Sequence, residues 1–247
     1  MLPNKIKSLQ HPIVKDLVKV RKNKPFRYEK KSLVISGNKT IKEIAKKKKI
    51  KILLFASDEI PSISCEKKIQ VTKEIIIKIS GIQSPENLLA VVDLPKEQDL
   101  TNKKYLLILD RLSDPGNVGT LLRTALAFGW EGVIYTPETT DPFNDKSLRS
   151  SKGACLFLPY QFMTYEQIRQ MMNKTKKELV VADIEGKAVH SFPSSTNVAL
   201  VLSSEAHGLS SLGEKGRKIT IPMTKKIESL NVSIAGAILM QKLGPKI

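Results

Sequence analysis

Three blocks of small, polar and ionisable residues follow one another in the second half of this chain. They are Asn117-Val118-Gly119 with Arg123, then Ser203-Ser204-Glu205-Ala206-His207-Gly208, then Ile221-Pro222-Met223 leading to Ser229-Leu230-Asn231. Arg123 stands in an otherwise apolar helical stretch. Its guanidinium could hold a phosphate or offset charge developing on an oxygen, and an ordinary surface arginine fits the same position. Ser203, Ser204, Ala206 and Gly208 carry little bulk, so the backbone there can approach a ligand closely, although a plain strand-to-helix turn needs no more. Ser229 and Asn231 suit helix capping as well as chemistry. Spacing argues against other chemistries. Gly116 and Gly119 do not make a G-x-G-x-x-G turn, and Glu214 stands where a phosphate-binding loop beginning at Gly208 needs lysine. His11, His190 and His207 lack metal-ligand spacing, and no G-x-S-x-G elbow occurs.

The elements that must position these blocks alternate. Tyr105–Leu109 is a continuous apolar run, as in a buried parallel strand, and Asp110 to Gly116 is turn chemistry. A helix over Asn117–Phe128 then buries Val118, Leu121, Leu122, Ala125 and Leu126 before Gly129 closes it. Short strands are expected at Val133–Tyr135, Leu179–Ala182, Val198–Leu202 and Ile219–Ile221, with helical segments near Lys146–Gly153, Thr164–Asn173 and Leu230–Leu243. The pattern predicts a parallel sheet with helices on both faces. Ahead of it, helices over His11–Arg21 and Thr40–Lys47 alternate with strands at Leu33–Ile35, Ile52–Phe55 and Leu88–Val92, which predicts a small α/β sandwich. Pro95 to Lys104 is polar and without apolar periodicity. The expected division is therefore a domain over 1–95, a linker over 96–103 and a second domain over 104–247.

Charge separates the two halves further. The chain of 247 residues carries a formal net charge of +17, which points to a polyanionic partner. Residues 1–50 hold sixteen Lys/Arg against three Asp/Glu, so +13 of the excess lies there. Phe26 and Tyr28 stand among Arg21, Lys22, Lys24 and Arg27, a mixture that suits phosphate and base contacts and also describes a solvated face. No apolar run approaches the roughly 18 residues of a membrane span, so no membrane partner and a cytoplasmic location are expected. Cys65 and Cys155 are expected to be reduced thiols, with no zinc site.

Taken together and in this order, the three blocks resemble the signature motifs of the SpoU/TrmH family of RNA ribose 2′-O-methyltransferases, in the SPOUT superfamily, from about Leu106 to Leu243. Arg149, Ser151 and Gly153, following Asp141-Pro142 and Asn144, look like the family's segment between its first and second motifs. The first hundred residues are similar, less specifically, to the small L30e/L7Ae-like substrate-binding domain. The resemblance implies an α/β domain with a deep trefoil knot, S-adenosylmethionine as cofactor and no metal, a homodimer, and an RNA substrate, with rRNA favoured over tRNA. A non-catalytic RNA-binding or ribosome-assembly protein of the same fold is the rival reading.

Carried over by position, the resemblance implies catalytic roles for Arg123, Asn117, Glu205, Ser229 and Asn231. It implies an adenosine pocket lined at Ser203, Gly208, Ile221, Met223 and Leu230, and an RNA-contact role for Arg149 beside those of Arg21, Lys22, Lys24 and Arg27. A sulfonium donor is already activated, so such an enzyme must hold donor and nucleophile in line and help remove the proton of a weakly acidic 2′-OH. A guanidinium in water keeps its proton to above about pH 12, which makes positioning as fitting a role for an arginine as proton removal. Ser203 and Ala206 stand where the family often has glycine, and Thr224-Lys225-Lys226 replaces a glycine-containing turn. The added bulk is expected to alter cofactor affinity.

Overall fold

The computed structural model describes residues 5–193, 196–204, 212, 215–224 and 226–246. The chain folds as two units, 1–95 together with 143–156, and 96–142 together with 157–247.

In the first unit, α1 (Pro12–Lys22) begins with proline in its first turn and the His11 side chain accepting the Ile13 N–H, and it buries Val14, Leu17 and Val20. Then follow α2 (Lys24–Lys30), β1 (Ser32–Ser36), α3 (Asn38–Ala45), β2 (Ile52–Phe55), β3 (Lys67–Gln70), α4 (Lys73–Ser80) and β4 (Leu88–Asp93). The sheet runs β1-β4-β2-β3, with β2 and β3 parallel and the other pairs antiparallel. Its core joins Val34, Leu54, Ile69, Leu89 and Val91 to the buried face of α1 and to Ile75, Ile76 and Ile79 of α4. Sequence reading left α2, β3 and α4 unassigned. For α4 the reason is physical: three consecutive isoleucines obscure the helical period and favour extended chain locally.

The second unit contains β5 (Tyr105–Asp110), α5 (Pro115–Ala127), β6 (Gly132–Tyr135) and, after the inserted α6 (Asp145–Ser150), β7 (Tyr160–Phe162), α7 (Tyr165–Thr175), β8 (Glu178–Ala188), β9 (Val198–Ser203), β10 (Arg217–Thr220) and α8 (Val232–Leu243). The sheet order is β10-β8-β9-β5-β6-β7 and every pair is parallel. Leu106, Ile108, Ile134, Val181, Ala199 and Val201 pack with Ile168, Met171 and Met172 of α7. The intervening residues point to the other face, where α5 and α8 lie. There the backbone of α8 comes so close that a Cβ on Gly236 would sit 2.4 Å from Leu121 and 2.6 Å from Leu202. Among the described residues no helix is long and apolar enough to cross a membrane.

Two features differ from the sequence reading. The stretch 96–103, expected as a linker, belongs to the second unit: Leu100 is fully buried against Gly132, and the Gln98 N–H donates to the Tyr160 carbonyl at 3.0 Å. A single buried leucine in a polar run gives no periodicity to detect. The stretch 143–156 instead packs with the first unit. Its Gly153 adopts φ +82°, open to glycine without strain, and sits against Ile44, which a Cβ would approach to 3.0 Å.

Candidate active site

The first and third sequence blocks meet. Asp114 caps α5 by accepting the Asn117 N–H at 2.8 Å, so the helix begins at Pro115, ahead of the start at Asn117 read from sequence, and Asn117 lies in its first turn. Asn231 caps α8, its Oδ1 accepting from the Ser233 N–H at 2.9 Å and from Ser233 Oγ at 2.5 Å. Its Nδ2 donates to Asn117 Oδ1 at 3.2 Å. One amide thus closes the start of α8 and ties it to the start of α5.

At the carboxyl ends of β9 and β10, where open parallel sheets present ligand crevices, and beside the middle of β8, lies a cavity of about 140 Å³. Ser203, Ile221, Met223 and Leu230 all line it, together with Ser229 and the start of α8. Leu202, Ile219 and Leu239 add apolar wall, and Asp183 supplies a carboxylate. The cavity therefore offers apolar faces for a planar heterocycle and a few polar groups to orient it. Glu205 and Gly208 lie outside the described residues.

Behind the cavity is a group that sequence reading passed over as turn chemistry. Asp110, the last residue of β5, is fully buried. Its Oδ1 accepts from Tyr165 Oη at 2.8 Å and Thr136 Oγ1 at 3.0 Å, and its Oδ2 from Ser203 Oγ at 3.0 Å. Its main-chain carbonyl takes the Ser204 N–H at 3.2 Å. Burial, then the hydrogen bond to Asp110, pushes the Tyr165 phenol up. One carboxylate thereby gathers hydroxyls from the ends of neighbouring strands and fixes Ser203 at the cavity wall. The available signal was the aspartate directly after five apolar strand residues, a position where a charge must find buried partners.

Asp183 is the second group missed. It accepts the Glu185 N–H at 2.8 Å and pairs with Lys218 Nζ at 3.0 Å, bridging β8 to β10. Burial pushes its carboxyl up, but the Glu185 N–H and the Lys218 ammonium outweigh that and hold it below the usual range.

Arg123 lies on the exposed face of α5 and does not line the cavity, and it makes no hydrogen bond or ion pair among the described residues. Of the residues assigned to RNA, Lys22 and Lys24 are exposed. Arg27 is a correction. It is 3% exposed, and its Nη1 donates to the Val20 and Arg21 carbonyls at 2.7 and 2.8 Å, closing the C-terminal end of α1. Its charge serves the helix end and is not available to a ligand. Arg21 and Arg149 both face Asp145, at 3.7 and 2.8 Å. Exposed lysines there cover half-buried rings: Lys19 and Lys30 stand over the Phe26 ring at 4.2 and 5.3 Å, and Lys24 over Tyr28 at 5.7 Å.

Residues 104–241 match the model of the SpoU rRNA Methylase family. The chain belongs to this family. The SpoU protein described here is 31% identical over 249 residues, 96% of this chain and 98% of the relative, to 23S rRNA (guanosine(2553)-2′-O)-methyltransferase RlmP of Bacillus subtilis. It is 31% identical over 228 residues, 87% of this chain and 95% of the relative, to an uncharacterized tRNA/rRNA methyltransferase of Borreliella burgdorferi. Among solved structures, the AdoMet-bound rRNA methyltransferase from Sinorhizobium meliloti superposes with a TM-score of 0.84 at 26% identity, covering 96% of each chain. This SpoU chain therefore shares its architecture with the Sinorhizobium meliloti structure along nearly its whole length.

Proposed function

We propose that this protein transfers a methyl group from S-adenosylmethionine to a ribose 2′-OH of ribosomal RNA. The observation that carries the reading is the near end-to-end match to RlmP, in a chain whose cavity gathers Ser203, Ile221, Met223, Ser229 and Leu230 from separate sequence blocks. The apolar walls fit the adenine of the cofactor, and Asp183, Ser203 and Ser229 supply polar groups for its ribose and amino acid. The cofactor contributes a methyl on a sulfonium. The protein must orient it, exclude water and present the ribose oxygen. Ser203 is held by Asp110 for the first task, and the Asn117–Asn231 link fixes the two helix starts beside it. Arg123, exposed and without a partner among the described residues, suits an RNA phosphate or the charge developing on the ribose oxygen. Glu205 and Gly208 keep the roles their motif positions imply.

RNA contact falls to the first unit, taken as a substrate-binding domain of the L30e type, through Lys19, Lys22, Lys24 and the Phe26 ring. A homodimer is supported by Ile234 and Ile238, one turn apart on α8 and 53% and 39% exposed; Ile234→Asp should sediment as a monomer where wild type sediments as a dimer. The knotted threading of the second unit and a cytoplasmic location belong to the same reading. Calorimetry with S-adenosylmethionine, followed by transfer of labelled methyl to an unmodified 23S rRNA transcript, tests it. Binding and transfer are expected, whereas RNA binding with neither would identify a non-catalytic assembly factor.

A further inference from the structure

At the end of the parallel sheet where β5, β8 and β9 begin, an open groove of about 490 Å³ is lined by Lys103, Lys104, Lys174 and Lys177 with Asn102 and Thr196. The cofactor cavity lies at the other end of the same strands, about 20 Å away for six residues at roughly 3.3 Å each. No carboxylate lines the groove among the described residues.

Lys177 is the group that makes it more than a cluster of surface lysines. It is only 6% exposed, and its Nζ donates to the main-chain carbonyls of Lys103 and Lys104 and to Oδ1 of Asn197. Its protons are satisfied, but every acceptor is neutral. Burial pushes its ammonium down, and the Glu131 carboxylate, held by the N–H groups of Lys104 and Tyr105, offsets part of that without forming an ion pair with it among the described residues. A buried cation hydrogen-bonded only to neutral acceptors keeps a positive field that solvent screens poorly and one nearby carboxylate offsets only in part. Lys103, Lys104 and Lys174 add to that field at the rim, and none forms an ion pair among the described residues. The Asp99 carboxylate, which accepts from Thr101, lies near enough to Lys174 to offset part of that one rim charge. Lysines also collect at helix C-termini to offset the dipole, which accounts for Lys174 in the last turn of α7. It does not account for Lys103 and Lys104, which precede β5, or for a lysine buried beneath them.

We propose that this groove binds successive phosphates of the RNA backbone and anchors the substrate on the methyltransferase unit at a point remote from methyl transfer. The inference rests on the reading of the protein as an RNA methyltransferase. Ammonium groups are point charges that hold phosphate without reading bases, so the contact supplies affinity and register but no sequence choice. An RNA engaging both the groove and the transfer site must run along the unit for the length of the sheet.

The test is a triple variant, Lys103→Gln with Lys104→Gln and Lys174→Gln, which leaves the buried Lys177 in place. Its dissociation constant for an unmodified 23S rRNA transcript is measured over a range of potassium concentrations, with calorimetry of S-adenosylmethionine on the same preparation. Expected are an affinity at least about tenfold weaker and a log–log salt slope shallower by roughly 2, at about 0.7–0.9 for each lost contact, with cofactor affinity unchanged. Should the triple variant fail to fold, Lys174→Gln alone, on an exposed helix position, should flatten the slope by about 0.7. RNA affinity and slope equal to wild type would overturn the proposal. So would tripolyphosphate binding lost in the variant while RNA binding is kept, since the groove would then serve a free anion. Absence of methyl transfer by wild type would instead remove the enzymatic reading, leaving the salt slopes to decide the groove on their own.

Discussion

Asn231 Nδ2 donates a hydrogen bond to Asn117 Oδ1 across 3.2 Å, joining side chains 114 positions apart. Each end is also held locally, Asn231 by the cap it forms on α8 and Asn117 by the Asp114 cap on α5. Asn117→Ala loses the link alone and should cost about 1 kcal/mol, whereas Asn231→Ala also loses a cap and should cost about 2 kcal/mol. Urea denaturation of both singles and the double should give a coupling of about 0.5–1.5 kcal/mol. Strict additivity would show that the two helix starts are set independently.

Asp110 accepts three hydroxyl protons in a fully buried setting. Asp110→Ala removes the shared acceptor of Tyr165 and Ser203, leaves Thr136 to the Pro137 carbonyl, and should destabilise the fold by about 3 kcal/mol, while Asp110→Asn, which keeps an acceptor and lets the hydroxyls reorient, should cost less. Ser203→Ala removes only the arm that reaches the cavity. Both it and Tyr165→Phe should lower stability by about 1–2 kcal/mol, but only Ser203→Ala should weaken S-adenosylmethionine binding several-fold, with Tyr165→Phe leaving cofactor affinity intact. Equal effects of the two on cofactor affinity would deny Asp110 a positioning role.

Asp183 has a folded-state pKa below its unfolded value, because the Glu185 N–H and Lys218 together outweigh its burial. Its contribution is therefore complete above the unfolded carboxyl range, near pH 4, and is lost as pH falls through the lower folded value. Urea midpoints between pH 2.5 and 6 should fall at the acid end in wild type. Asp183→Asn should lower the midpoint near pH 6 and fall less steeply below pH 4. Parallel profiles would show that the β8–β10 bridge carries no net stability.

Arg27 and its exposed neighbours should separate cleanly. Arg27→Gln abandons two main-chain carbonyls at the end of α1 and should cost about 2 kcal/mol of stability. Lys19→Gln with Lys22→Gln should leave the thermal midpoint within a degree or two and weaken RNA binding with a shallower salt dependence. A fragment starting at Lys104 is a poor alternative, since it would remove Leu100 from the second unit's core and the partners of 143–156.

What was legible in the sequence was whatever announces itself by period or by order. The apolar runs at β5, β6 and β9 gave the parallel sheet, and the resemblance of the three blocks to the family motifs pointed to Ser203, Ile221, Met223 and Leu230, which line one cavity, Gly208 lying outside the described residues. Tertiary partners were not legible. Arg27 reads as one basic residue among many until α2 turns its guanidinium back onto α1, and Asp110 reads as the start of a turn until three distant hydroxyls converge on it. The segment 143–156 follows β6 in sequence but packs with the first unit, a choice made by Ile44 and Gly153 in contact and by no local pattern.

The atom that receives the methyl group distinguishes ribose from base methylation. An unmodified 23S rRNA transcript, incubated with the protein and S-adenosylmethionine, is digested to nucleosides and resolved by mass spectrometry, with Arg123→Ala and Arg123→Lys run in parallel. The expected product is a nucleoside whose added methyl stays with the ribose when the glycosidic bond is cleaved, formed by wild type and largely lost in both variants because lysine keeps the charge but not the planar fork. A methyl that leaves with the base, or ribose methylation by Arg123→Ala at the wild-type rate, would contradict the account.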